Sequence, residues 1–202
     1  MRATPLPTID LLGMPLARVT QDSLLDHLFS TSAMGQGGWL ITANLDFLRR
    51  HVRDPELRRL YDLADVVVAD GMPLVWAASL QGQPVPQRVA GSSLLEPLAA
   101  RAAVEGRSVY FFGGAAGAAH AAIDVLLKNH PGLKIAGCSN PLVSDPPSAK
   151  DIADACAELH QTRPDILLVA LGSPKQERLI ERLRETFPGM WMIGVGVSFS
   201  FL

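Results

Sequence analysis

The chain is 202 residues long, 48% hydrophobic and 19% charged, with a formal net charge of -2. That length and apolar content suit one domain with a sizeable buried core, and no Pro/Gly/Ser-rich linker divides it. The charge balance excludes bulk attraction to nucleic acid. No apolar run is long enough to span a bilayer, and the opening Met1-Arg2-Ala3-Thr4-Pro5 lacks a signal-peptide apolar centre.

From the N-terminus, Ile9 to Val19 reads as a small hairpin broken at Gly13-Met14-Pro15, and Thr20 can cap a helix reaching about Ser30. Trp39-Leu40-Ile41 is a strand-like run ending at Thr42-Ala43-Asn44. The helix after it restarts at Asp54-Pro55, an N-cap followed by proline at the first helical position. Val66 to Ala69 is a second strand ending at Asp70-Gly71, and Pro73 opens a helix to about Leu80. A loop with two prolines runs from Gly82 to Arg88, and Ser92 or Ser93 caps a helix to about Glu105. Val109 to Phe112 is a third strand ending at Gly113-Gly114, followed by an alanine-rich helix to about Asn129. Leu133 to Cys138 is a fourth, then a proline-rich loop and a helix to about Thr162. Asp165 to Ala170 is a fifth, ending at Leu171-Gly172-Ser173, and Pro174 opens a helix to about Phe187. Trp191 to Val195 is a sixth, ending at Gly196.

These strands are continuous apolar runs, the pattern of strands covered on both faces. Strand and helix alternate throughout, which predicts an α/β fold: a doubly wound, mainly parallel sheet of about six strands with helices on both faces, in one domain. In such sheets ligands bind outside the carboxyl ends of the strands. Five of those ends carry unusual residues: Thr42 and Asn44; Asp70 and Gly71; Gly113 and Gly114; Gly172 through Glu177; Gly194 and Gly196.

Each motif taken alone has a plain structural alternative. Gly113-Gly114-Ala115-Ala116-Gly117 could cradle a phosphate at a helix N-terminus, or be a tight turn that needs positive φ. It matches neither GxGxxG nor GxxxxGK, which counts against a dinucleotide-linked oxidoreductase and against a P-loop. Asp70 at a strand end is a candidate general base, and Asp70-Gly71 could equally be a turn. Gly172-Ser173-Pro174-Lys175-Gln176-Glu177 could be only a helix start, although Lys175 and Gln176 offer donors to a pyrophosphate or to sugar hydroxyls. Thr42 and Asn44 could satisfy backbone groups at a strand end. Arg88 and the run Arg49, Arg50, Arg53, Arg58 and Arg59 read first as solvated surface groups. The five histidines show no metal-ligand spacing, there is no Asp-x-Asp and no Gly-x-Ser-x-Gly elbow, and no metal or cofactor is expected. Cys138 and Cys156 read as free thiols in a reducing compartment.

In this order, the pieces resemble the WecG/TagA/CpsF family of bacterial glycosyltransferases. The matching stretches are Thr42-Ala43-Asn44, Ala64-Asp65 through Asp70-Gly71, Arg88-Val89-Ala90-Gly91, Phe111 to Gly114, Leu171 to Glu177 and Gly194-Val195-Gly196, within a span of Ile9 to Leu202. The resemblance implies metal-independent, inverting transfer of an N-acetylmannosamine-like or related hexose. The donor is a UDP-sugar and the acceptor a polyprenyl-diphosphate-linked sugar, in cell-surface polysaccharide synthesis at the cytoplasmic face of the membrane. It implies Asp70 as base and Thr42, Asn44, Arg88 and Gln176 as pocket residues. With the strand-end pattern, this makes Asp70 and Arg88 the catalytic candidates, Arg88 and Lys175 stabilising the departing UDP, and Gly71, Gly113, Gly114, Gly172, Lys175, Gly196 and Ser200 substrate contacts. The family usually carries Gly-x-Phe-Asp after the last strand, where the Asp helps hold uracil. This chain has Val197-Ser198-Phe199-Ser200, so Ser200 stands at that position. Family members usually continue into a basic, membrane-docking C-terminal appendage, so weak membrane contact is expected of the 202 residues, with self-association as a further expectation. A non-catalytic nucleotide-sugar-binding module is the alternative.

Overall fold

The computed structural model describes residues 5–201. Strands β1 (Thr8–Leu11) and β2 (Met14–Ala17) form the antiparallel N-terminal hairpin. The other six strands form one sheet: β3 (Gly38–Ala43), β4 (Val66–Ala69), β5 (Ser108–Gly113), β6 (Lys134–Ser139), β7 (Ile166–Ala170) and β8 (Trp191–Gly194). Their order across the sheet is β4-β3-β8-β7-β5-β6, and every neighbouring pair is parallel. The α/β sheet, its six strands and the hairpin are those expected from the apolar runs.

The strands are apolar throughout because alternate residues enter two different cores. Trp39, Ile41, Leu167, Val169 and Met192 face one side. Helices α2 (Leu45–Arg53), α3 (Pro55–Tyr61), α4 (Met72–Leu80), α7 (Ala149–Thr162) and α8 (Lys175–Leu183) cover that side. Leu40, Val68, Phe111, Leu168 and Ile193 face the other, beneath α1 (Gln21–Ala33), α5 (Gly91–Glu105) and α6 (Ala118–Asn129). The crossovers that step toward β4 use the first layer, and those that step toward β6 return to the sheet through α5 and α6 of the second, as one consistent handedness requires. After β8 the chain enters a short 3-10 helix, η1 (Ser198–Phe201), whose Phe199 joins the second core.

That topology opens a crevice between two adjacent strands. The chain leaving β3 turns to the first layer through α2, and the chain leaving β8 turns to the second through η1. Such a divergence is where open α/β sheets place their ligands.

Local chemistry sets several helix starts. Thr20 and Ser148 each make a capping box, on α1 and α7, and Asp54 caps α3 ahead of Pro55. Two helix starts differ from expectation. Helix α5 begins at Gly91, and neither Ser92 nor Ser93 is its cap; Ser93 Oγ instead donates to the Ala90 carbonyl at 3.1 Å. The Gly91 N–H goes to Asp70, so a carboxylate just beyond β4 satisfies the first N–H of the helix in place of a serine. Pro174 precedes α8 as its N-cap rather than opening it. Helix α6 begins at Ala118 with Gly117 as its N-cap, directly after the glycine-rich run 113–117 expected to open it.

Candidate active site

A cleft of about 380 Å³ lies across the carboxyl ends of β3, β4, β7 and β8. Its walls include Thr42, Asn44, Asp70, Gln176 and Gly196. Four strand ends widely spaced in sequence therefore supply one concave polar surface. The loops meet closely: a Cβ added to Gly91 would sit 3.1 Å from Ser198 Oγ and 3.2 Å from Thr42 Oγ1.

Asp70 is half-buried at the end of β4. One of its carboxylate oxygens, Oδ2, accepts the Gly91 N–H at 3.1 Å. Burial pushes its pKa above the ordinary aspartate value, while the Gly91 hydrogen bond and the nearby Arg88 guanidinium pull the other way. Gly71, which follows, has φ 149°, a backbone conformation that favours glycine. It lets the chain turn from β4 into α4 with Asp70 at the cleft edge. Arg88 is exposed and is not among the cleft's lining residues, but it acts electrostatically on Asp70. The backbone joins the two: the Val89 N–H donates to the Ala69 carbonyl at 2.9 Å, pinning the Arg88 segment beside the end of β4.

Thr42 is buried, and its hydroxyl donates to the Gly194 carbonyl at 3.2 Å, bridging β3 to β8. Asn44 is the N-cap of α2; its Oδ1 accepts from the Asp46 and Phe47 N–H groups. Asn44 thus satisfies backbone groups beyond the strand end and also lines the cleft. Gln176 is 3% exposed. Its Oε1 accepts the Gly196 N–H at 3.1 Å, and its Nε2 donates to Glu177 Oε1 at 2.6 Å.

Other expected site residues lie elsewhere. Lys175 Nζ donates to the Val143 carbonyl at 3.1 Å, on the proline-rich loop, so its ammonium is held away from the cleft lining. Successive helical residues point about 100° apart, so Gln176 facing inward directs Lys175 sideways. Gly113 and Gly114 have positive φ, as the tight-turn alternative required, and do not line the cleft. Phe199 packs over Gly114, where an added Cβ would meet its ring at 2.9 Å. Ser200 is exposed on η1, and Ser198 from the same turn lines the cleft in its place. Gly172 takes φ 76° in the turn out of β7.

The structure adds residues that the sequence pattern did not single out. Arg50 was expected on a solvated face, yet it lines the cleft. Its guanidinium donates to the Ser173 carbonyl at 3.0 Å and pairs with Asp46 at 2.7 Å. The two arginines Arg49 and Arg50 hold the Asp46 carboxyl below the usual carboxylate range. Ser92 and Phe201 also line the cleft. Behind Gln176, Glu177 is fully buried, and burial pushes its pKa up to about 7. Among the described residues no group of three or more His, Cys, Asp or Glu side chains is placed to hold a metal ion.

A doubly wound parallel sheet with a polar cleft at a strand divergence defines an open-sheet α/β protein with a ligand site at its strand ends. A sequence profile of the WecG/TagA/CpsF family of glycosyl transferases matches residues 9–202, and the chain belongs to that family: it is a glycosyltransferase. It is similar to a Bacillus spizizenii protein named N-acetylglucosaminyldiphosphoundecaprenol N-acetyl-beta-D-mannosaminyltransferase, 30% identical over 201 residues. The match covers 99% of this chain and 74% of the relative.

Proposed function

We propose that the chain transfers an N-acetylmannosamine-like hexose from a UDP-sugar to a polyprenyl-diphosphate-linked sugar, with inversion at the anomeric carbon. The observation that carries this reading is that Asp70, Gln176 and Gly196, from three separate strand ends, line one cleft. Asp70 is half-buried, carries a raised pKa and is anchored through one oxygen. The second oxygen is the base: it takes the proton of an acceptor hydroxyl as that oxygen bonds to the anomeric carbon. The bond from that carbon to the donor phosphate breaks, and UDP leaves with the electron pair.

Charge develops on the departing diphosphate. Arg50 within the cleft and Arg88 beside Asp70 are the cationic groups available to stabilise it, and they support transfer that needs no bound metal. The similar Bacillus protein is named for a lipid-linked acceptor of this chemistry. None of the described helices is long and apolar enough to cross a membrane; we place the protein at the membrane surface, where its lipid-linked acceptor resides.

The test is a panel of UDP-sugars with a polyprenyl-diphosphate-N-acetylglucosamine acceptor, assayed for released UDP with and without EDTA. Acceptor-dependent release from one donor, unchanged by EDTA, is expected. Binding of UDP with no release from any donor would support a non-catalytic nucleotide-sugar-binding role instead.

A further inference from the structure

The carboxylate behind the cleft wall is costly. Glu177 has no exposed surface, and its Oε2 makes no hydrogen bond of good geometry, with the Ser173 hydroxyl only near enough to act weakly on the carboxyl. Burying a carboxyl with an unmet oxygen destabilises a fold, and a packed apolar side chain would serve stability better. Its other oxygen, Oε1, lies 2.6 Å from Gln176 Nε2.

A glutamine amide can sit in two orientations related by a flip, and its partners decide between them. The Gly196 N–H can only donate, so it requires the amide oxygen. An ionised Glu177 can only accept, so it requires the amide nitrogen. Both partners select the same orientation. A neutral carboxyl has an O–H to donate and relaxes that selection. We propose that Glu177 is a positioning residue for the donor-nucleotide site, its carboxylate locking the Gln176 amide in the orientation that the ligand meets. The assignment rests on the UDP-sugar reading above.

The groups facing Glu177 leave it as the one that titrates near neutral pH. Arg50, from α2, acts on it electrostatically and favours its ionised form. Tyr61, from α3, has its pKa raised by burial and stays neutral. Ser173, in the turn before α8, and Gln176, in its first turn, carry no charge and favour the ionised form of Glu177.

The experiment is calorimetric titration of UDP into the full chain, comparing wild type, Glu177→Gln and Glu177→Met. The quantity read is the ratio of wild-type to Glu177→Gln affinity, in which the ligand's own ionisation cancels. At pH 8.5 the wild type is expected to bind about fivefold or more tightly, and at pH 5.5 the ratio should approach one. Glu177→Met should bind about tenfold more weakly than wild type at pH 8.5, a difference of about 1.4 kcal/mol, with no loss of thermal stability. A ratio that stays constant with pH overturns the assignment, and does so even if Glu177→Met fails to fold. Wild-type affinity in Glu177→Met, with Gln176→Ala still weakened, overturns it while leaving the UDP-sugar reading intact. Failure of the wild type itself to bind UDP removes that reading and this one together.

Discussion

The Asp70 carboxylate accepts the backbone N–H of Gly91 at 3.1 Å and so caps helix α5 from a neighbouring strand end. The contact fixes the side chain through Oδ2 and places it at the positive end of a helix. Asparagine at position 70 can keep that contact through its amide oxygen but cannot take a proton. Asp70→Asn is therefore expected to fold normally and to bind UDP within about threefold of wild type, a difference of about 0.7 kcal/mol. Its turnover should fall by about 10²–10⁴-fold. Burial raises the Asp70 pKa, so in the wild type the rate should fall with acid at a pH above the ordinary aspartate range, because the base must be ionised. Steady-state UDP release between pH 4 and 8 checks both, and wild-type turnover in Asp70→Asn would remove the base role.

Arg50 offers a way to tell phosphate recognition from base recognition. Its side chain is 26% exposed, paired with Asp46 and directed at the Ser173 carbonyl. A charge-assisted contact to a diphosphate is worth about 1.5–3 kcal/mol. Arg50→Ala should weaken UDP binding at least about tenfold and leave uridine binding within about twofold. Added salt should narrow the difference, since the residue is only partly shielded. An equal loss for UDP and uridine would move Arg50 from the diphosphate to another part of the ligand.

Gly194 ends β8 directly behind the amide of Gln176. A Cβ there would fall 2.6 Å from Gln176 Nε2 and 3.3 Å from Glu177 Oε1. Both neighbours are buried, so neither can swing into solvent. Gly194→Ala should cost about 1–3 kcal/mol in stability, the usual range for an overpacked interior, and should weaken UDP binding by displacing Gln176. Gly132→Ala is the control. Its nearest neighbour would be 3.7 Å away, an ordinary contact, and its stability should stay within about 0.5 kcal/mol of wild type. Denaturant titration of the pair with UDP calorimetry checks this, and parity between the two variants would mean that the Gln176 wall yields freely.

Much of this architecture was legible in the sequence because it depends on local pattern. Val66 to Ala69 is apolar at every position, which only a strand covered on both faces requires, and β4 occupies those residues. Thr42, Asp70, Gln176 and Gly196 were legible as cleft residues because strand ends in a parallel sheet share one edge. What escaped depends on how helices dock. Arg50 looks like any other member of an arginine run, and only the packing of α2 turns it and Asp46 toward the cleft. Gly113 and Gly114 sit at a strand end on the same edge, but β7 and β8 separate β5 from β3, and Phe199 covers Gly114. Glu177 follows Gln176 in sequence, and no periodicity marks a glutamate as buried.

Glu177 also links the cleft wall to the stability of the whole fold. In the folded chain burial pushes its pKa up to about 7, against an ordinary value of 4.5. Between those two pH values the folded chain binds the proton and the unfolded chain releases it. Stability therefore falls as pH rises through that interval. The full effect is on the order of 3 kcal/mol, and a domain of this size changes its Tm by roughly 2–4 °C per kcal/mol. Glu177→Gln cannot ionise and lacks this term. Its own buried amide changes stability by an amount that does not vary with pH. Thermal melts at pH 5 and pH 8 should show the Tm of Glu177→Gln rising relative to wild type by several degrees between the two. A Tm difference that stays constant across that range would mean that Glu177 keeps one charge state throughout, and would separate the stability of the fold from the ionisation of this residue.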